Sequence, residues 1–176
     1  TRTQKADIIA CAYASHGDSK QVLLFPESPY ECFELTAQAF DIAEQLQTPV
    51  IVMSDLDLGM NDHLTQEFSW QDDKAYQRGK VLSAQQLDEV EVFGRYLDVD
   101  NDGICYRTLP GTHPNKGAYF NRGTSRNHFA GYTEKSTDYV DNMERLSKKF
   151  VNAIQYLPQP EIKQSNKNAP LGLIFF

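Results

Sequence analysis

At 176 residues the chain is long enough for one good-sized domain, or for a domain with part of the next. Its hydrophobic share of 40% is ordinary for a soluble globular protein and excludes disorder of the whole. With 24 acidic against 17 basic side chains the formal charge is −7, which excludes broad contact with nucleic acid or an anionic membrane but leaves room for a local basic pocket. No apolar run approaches a membrane span, and no charged-then-apolar signal segment opens the sequence.

In chain order, the first predicted element is a helix from about Gln4 to Ala14. Its apolar residues Ala6, Ile9, Ala10 and Tyr13 recur at helical spacing, and Gly17 is placed to end it. The run Gln21 to Phe25, stopped by Pro26, predicts a short buried strand. Ser28 is then a good N-cap, Pro29 suits the first helical position, and Glu31 completes a capping-box pattern. A broad apolar stripe follows at Cys32, Phe33, Leu35, Ala39, Phe40, Ala43 and Leu46, and Thr48-Pro49 closes the helix. Pro49 to Ser54 is continuously apolar rather than alternating, the pattern of a strand buried on both faces of a parallel sheet. Strand, helix and strand with short joints make a βαβ unit with a right-handed crossover.

Beyond Asp55 the pattern loosens. Residues 59 to 131 read as a loop-rich extension, interrupted by a capped helix at Ser83 and Gln86 that runs through Leu87 and Val90, and by a short strand at Tyr119-Phe120. A long helix is predicted from about Thr137 to Tyr156. Its stripe is Val140, Met143, Leu146, Phe150 and Ile154, with Asp141/Arg145 and Glu144/Lys148 as i, i+4 pairs, and Pro158 stops it. Residues 158 to 170 read as a linker, and the apolar run 171 to 176 as the first strand of a following domain. The fold class is thus α/β, a partial parallel sheet with flanking helices, and both ends are expected to be truncated.

Four constellations could carry chemistry. Ser15-His16-Gly17-Asp18, before the first strand, is either an anion-polarising turn or a helix C-cap. Ser54-Asp55-Leu56-Asp57 lies beyond the carboxyl end of the second strand, where open α/β sheets gather ligands, and equally fits a solvated turn. Asp98, Asp100 and Asp102 with Gly103 match the opening of a calcium loop, but the twelfth position is Leu109 instead of a bidentate Glu. An Asp-rich turn is therefore favoured there over a weak cation site. Arg107, Arg122, Arg126 and His128 could clamp carboxylates or phosphates, or pair with the chain's own acids. The cysteines Cys11, Cys32 and Cys105 are far apart and odd in number, which predicts reduced thiols in a reducing compartment. No phosphate fingerprint, zinc spacing or nucleophile elbow is present.

Several segments taken together resemble a known family. Tyr13-Ala14-Ser15-His16-Gly17-Asp18, Glu31-Cys32-Phe33-Glu34-Leu35-Thr36, Ala39 to Glu44 and Gln47 to Val52 resemble the alpha subunit of 2-oxoacid:ferredoxin oxidoreductases, especially the 2-oxoglutarate type. The likeness continues through Asp102-Gly103-Ile104, Arg107 to Gly111 and Met143 to Leu146, so it covers nearly the whole chain. It implies a thiamine-diphosphate-binding-type module of the pyrimidine-binding kind over residues 1 to 157. It further implies oxidative decarboxylation of a 2-oxoacid to an acyl-coenzyme A, with electrons passing to ferredoxin. Thiamine diphosphate would be shared with a beta subunit; the iron–sulfur cluster and magnesium would sit in the partner subunit. Implied too are a dimer of alpha–beta units, a cytoplasmic location and no activity for this chain alone. The residues carried over as substrate contacts are His16, Gly17 and Asp18. A non-catalytic assembly module and a calcium-binding domain are the rival readings.

Overall fold

The computed structural model describes residues 6–15, 19–163 and 170–173. Among them α1 (Asp7–Ala12) leads into β1 (Val22–Leu24), α2 (Pro29–Leu46) and β2 (Val50–Val52). The βαβ unit forms as the apolar pattern predicts. β1 and β2 pair in parallel with Val22 opposite Val50 and Leu24 opposite Val52, and among the described residues they make a two-stranded sheet. With a pairing partner on one side only, β2 is half-buried along its length, whereas its sequence suggested burial on both faces. β1 buries Val22 and Leu24 and leaves Leu23 half-exposed.

Local chemistry sets the ends of α2. Ser28 accepts a hydrogen bond from the Glu31 amide at 3.2 Å and Pro29 begins the helix. The Glu31 carboxylate accepts from the Glu27 amide at 2.7 Å, one residue before the position a reciprocal capping box would use. At the other end Gln47 adopts a left-handed conformation (φ 50°) and donates its amide to Ala43 O, so a non-glycine residue turns the chain toward β2. The buried face of α2 is Ala39, Ile42 and Leu46; Phe40, expected in the stripe, is 71% exposed. Those residues join Val22, Leu24, Ile104 and Ala153 in the main core.

After β2 come α3 (Leu56–Met60), α4 (Ala84–Glu89) and α5 (Ser136–Ala153), the last continued by a 3-10 turn at Ile154–Tyr156. Ser83 and Gln86 form a reciprocal capping box on α4, with the Ser83 hydroxyl accepting from the Gln86 amide at 3.2 Å and the Gln86 side chain accepting from the Ser83 amide at 2.9 Å. That cap fixes a helix of barely two turns whose Leu87 is fully buried, so Ser83→Ala is expected to lower stability by about 1 kcal/mol, read by chemical denaturation.

Several expected details change. α1 ends at Ala12 with Tyr13 as its C-cap, short of Gly17. Tyr119 and Phe120 lie outside any strand and are 40% and 78% exposed. On α5, Val140 and Ile154 are exposed, and the buried positions are Lys149 and Ala153. The predicted i, i+4 pairs give way to longer-range partners, with Lys148 reaching Asp98 and Arg145 donating to Gly103 O. Leu171 and Leu173 are 87% and 84% exposed, without strand pairing; residues 174–176 lie outside the described set. Residues 61–79 are exposed throughout, yet they lie along α2: Phe68 packs on Tyr30 and Phe33, Trp70 on Phe33, and the Gln77 amide donates to Asp41.

Candidate functional site

Both strands run toward the same edge, where Met53 N donates to Leu24 O at 2.8 Å. Two connections leave that carboxyl edge. One is Pro26 to Ser28, opening α2; the other is Ser54-Asp55, opening α3. Asp55 is not a free acid in a loop. It N-caps α3, its Oδ1 accepting from Leu58 N at 2.9 Å, and Asp57 lies in the first turn of the same helix. The carboxyl edge is where parallel α/β sheets take ligands. His16, Gly17 and Asp18 lie outside the described residues. Their neighbours Ser15 and Ser19, with hydroxyl oxygens 3.0 Å apart, precede β1 and so sit toward the opposite, amino edge of the pair.

The Asp-rich turn is held by the protein's own cations and amides. Asp98 accepts from the amides of Asp102 and Gly103, each at 3.0 Å, and Lys148 lies 3.4 Å from its Oδ2. The Lys80 ammonium sits 2.7 Å from Asp100 and 2.8 Å from Asp102, and also donates to Ile104 O at 2.9 Å. Lys80 thus supplies the positive charge a calcium ion would have brought. Among the described residues no group of three or more His, Cys, Asp or Glu side chains is placed to hold a metal ion, so nothing there supports a cation site at Asp98, Asp100 and Asp102. The Lys80 hydrogen bond holds Asp100 below its ordinary range. Burial alone would lower Lys80, but its bonds to Asp100 and Asp102 outweigh that and raise it.

The depressed acid contributes stability that is lost as pH falls through its lowered pKa, and the raised lysine contributes stability that is lost as pH rises through its own. We expect Lys80→Ala to cost about 2 kcal/mol at neutral pH by denaturation. Calcium should leave the melting temperature of the unmodified protein unchanged.

The predicted basic set does not converge. Arg107 pairs with Glu44 of α2 and donates to Arg78 O at 3.1 Å. Arg122 lies over the Tyr132 ring, and His128 is exposed. Arg126 alone reaches a cluster that the sequence did not reveal. Around the Tyr96 ring stand Arg95, Arg126 and Arg145, with guanidinium carbons 5.0, 5.5 and 5.7 Å from its centroid. Beside it opens a cavity of about 200 Å³, lined by Gln47, Arg95, Tyr96, Cys105, Arg145 and Lys149 among others.

Lys149 is only 6% exposed and donates to the Thr48 hydroxyl. Burial and then the nearby Arg145 charge bring its ammonium down to about 8, with Cys105 opposing them and Arg95 adding a lesser push downward. Burial pushes the Cys105 thiol up, while Arg145 and Arg95 pull it down. All three cysteines are free thiols. One sequence signal did mark this place. Lys149 interrupts the apolar spacing Leu146, Phe150, Ala153 on the inward face of α5, and a lysine there must bury its charge. Arg95 and Arg145 carried no such mark, because the tertiary fold alone brings them together.

Comparison with known proteins agrees with this architecture. Residues 1–150 match the family model described as pyruvate flavodoxin/ferredoxin oxidoreductase, thiamine diP-bdg. The chain is 38% identical over 66 residues to 2-oxoglutarate synthase subunit KorA of Methanothermobacter marburgensis, covering 37% of this chain and 18% of that protein. Subunit KorA of Methanocaldococcus jannaschii is 25% identical over 190 aligned positions, covering 99% of this chain and 43% of that one. Among solved structures, 2-oxoglutarate:ferredoxin oxidoreductase from Magnetococcus marinus, with 2-oxoglutarate, coenzyme A and succinyl-CoA bound, superposes with a TM-score of 0.75 at 21% identity. That match covers 94% of this chain and 27% of the other, so the chain spans less than half the length of each of these relatives.

Proposed function

The chain belongs to the pyruvate flavodoxin/ferredoxin oxidoreductase family of thiamine diphosphate-binding domains, and on that premise we propose that it is the alpha-subunit module of a 2-oxoacid:ferredoxin oxidoreductase. In this reading the whole enzyme decarboxylates a 2-oxoacid, 2-oxoglutarate first among the candidates, to an acyl-coenzyme A. The observation that carries the reading is the family match over residues 1–150, on a parallel βαβ unit whose two connections open at one sheet edge. The 2-oxoglutarate preference is supported by the names of the relatives.

Thiamine diphosphate would supply the carbanion-stabilising chemistry that such a decarboxylation needs. The described residues do not fit its magnesium-bound diphosphate. Among them no acidic or imidazole set is placed to hold the metal, and Asp55, a carboxylate at the sheet edge, already caps a helix. Nor do the separated free cysteines make a cluster-binding set. We therefore assign no catalytic step to this chain's residues. Diphosphate, magnesium and the iron–sulfur cluster fall to the partner beta subunit, ferredoxin and coenzyme A act through the complex, and the chain alone is inactive. Exposed apolar side chains, Phe40 at 71%, Met60 at 75% and Val151 at 70%, support a module that is covered by other parts of an assembly. The proposed assembly is a dimer of alpha–beta units in the cytoplasm; among the described residues no helix is long and apolar enough to cross a membrane.

The test is 2-oxoacid-dependent dye reduction by the full-length protein with its beta subunit, thiamine diphosphate, magnesium and coenzyme A. Turnover with 2-oxoglutarate is expected. A well-assembled complex that reduces nothing with any 2-oxoacid would leave the non-catalytic assembly role. The choice of His16, Gly17 and Asp18 as substrate contacts is tested in the same assay. With His16 orienting the 2-oxoacid carboxylate or the thiazolium side of the cofactor, His16→Ala is expected to lower turnover about tenfold or more. Unchanged kinetics would remove it from the substrate site.

A further inference from the structure

The cavity beside Tyr96 lies at the amino edge of the β1–β2 pair. Its wall includes Leu46 and Gln47, where α2 ends and the chain turns into β2. Three cationic side chains line it: Arg95, Arg145 and Lys149. Among the described residues none of the three has a carboxylate within 4.0 Å, although Lys80, Arg107 and Lys148 elsewhere in the chain are all paired with acids. Their recorded hydrogen bonds run to neutral oxygens. Arg95 donates to Gln47 Oε1 at 2.6 Å, Arg145 to Gly103 O at 3.2 Å, and Lys149 to the Thr48 hydroxyl. The Nε atoms of Arg95 and Arg145 are buried with no hydrogen-bond partner.

Lys149 is buried and Arg95 and Arg145 are half-buried, and like charges gathered at reduced exposure destabilise a fold unless something negative joins them. The Tyr96 ring, faced by the guanidinium groups of Arg95 and Arg145, offsets this only in part. Nor is the site disordered or improvised. Gln47 is fixed by its left-handed backbone and by donating to Cys105 O at 2.6 Å, so it holds Arg95 from a rigid position. Forked arginines and a point-charge lysine together suit an oxyanion, the forks by bidentate bonding and the lysine by attraction. A cavity of about 200 Å³ takes a small group and not an extended ligand.

We propose that this cavity is a binding site for a small oxyanion, a carboxylate or a phosphoryl-type group, held by Arg95, Arg145 and Lys149. The inference stands apart from the thiamine reading, since it uses none of the carboxyl-edge residues and its test needs no turnover.

Sulfate and succinate serve as probes, because neither titrates between pH 7 and 9. Each is titrated calorimetrically into the full-length protein at constant ionic strength in chloride. Binding of at least one is expected, weakened tenfold or more in Lys149→Met and threefold or more in Arg145→Lys, which keeps the charge but loses the fork. Sulfate alone assigns a phosphoryl-type ligand; succinate alone assigns a carboxylate. Affinity should also fall as pH rises from 7 to 9, as Lys149 loses its proton. The charged and titratable groups facing it are Arg145 on its own helix and Arg95 and Cys105 from the loops packed against it. No heat with either probe overturns the proposal. So does heat that both variants leave unchanged, which marks an adventitious ion only. So does a structure of the assembled protein with a partner's acidic side chain seated between the two arginines.

Discussion

Gly103→Ala is expected to be among the most damaging single substitutions in the chain. Gly103 is buried in the Asp-rich turn with φ +84°, in the left-handed region that a Cβ disfavours. A Cβ placed there would lie 2.6 Å from Arg145 O and 2.8 Å from Lys149 Cα, and closer still to Lys149 N. Those are backbone atoms of α5, which cannot swing aside as a flexible side chain would. Backbone strain and overpacking together should cost about 3 kcal/mol. The melting temperature should fall by roughly 10 °C. Gly111→Ala is the control: it too has a positive φ, +81°, but nothing lies within 4 Å of its Cβ position. It should show the backbone strain alone, about 1 kcal/mol. Equal losses at the two positions would mean that the close approach of the turn to α5 is wrong.

The second large effect goes the other way. Lys149→Met should stabilise the protein. With a folded pKa of about 8 against an ordinary 10.5, the unfolded chain holds the Lys149 proton more tightly than the folded one does. Between those values stability therefore rises with pH, and below pH 8 the full penalty of burying the ammonium beside Arg145 and Arg95 is present. That penalty corresponds to about 3 kcal/mol, and losing the bond to Thr48 takes back about 1, for a net gain of about 2 kcal/mol at pH 7. Thr48 keeps a partner in Leu46 O at 3.3 Å, so no buried hydroxyl is orphaned. Denaturation at pH 7 and pH 9.5 checks both parts. The variant should gain at pH 7, and the rise seen in the parent between the two values should disappear. A buried lysine kept for stability alone would make no sense on this arithmetic; one kept to meet an anion would.

The two helices with clear caps, α2 and α4, were legible because their determinants are local. Ser28-Pro29 and Ser83 with Gln86 act within a single turn, and the structure places both helices accordingly. The βαβ order was legible for a similar reason: apolar runs of strand length flanking a helical stripe admit few arrangements. Where the reading failed or stayed open, the deciding contacts were distant in sequence. The Asp98 to Gly103 stretch read as an Asp-rich turn with a weak cation site as its rival, and only the fold shows that Lys80 lies between its carboxylates. Val140 and Ile154 lay on the predicted stripe of α5, but the helix meets the core through Ala153 and Lys149, so its buried face is rotated.

Read alone, then, the amino acids determined an α/β module, its strand–helix–strand order, the starts of its two capped helices and its family likeness, because each follows from spacing and capping within a short stretch. Tertiary structure decided which charges are paired and which are not. Arg95, Gln47, Arg145 and Lys149 come from three separate stretches of chain, and nothing in any one of them records that they share a cavity. Charge pairing depends on distances across the fold, and those exist only once α5 has packed against the end of α2.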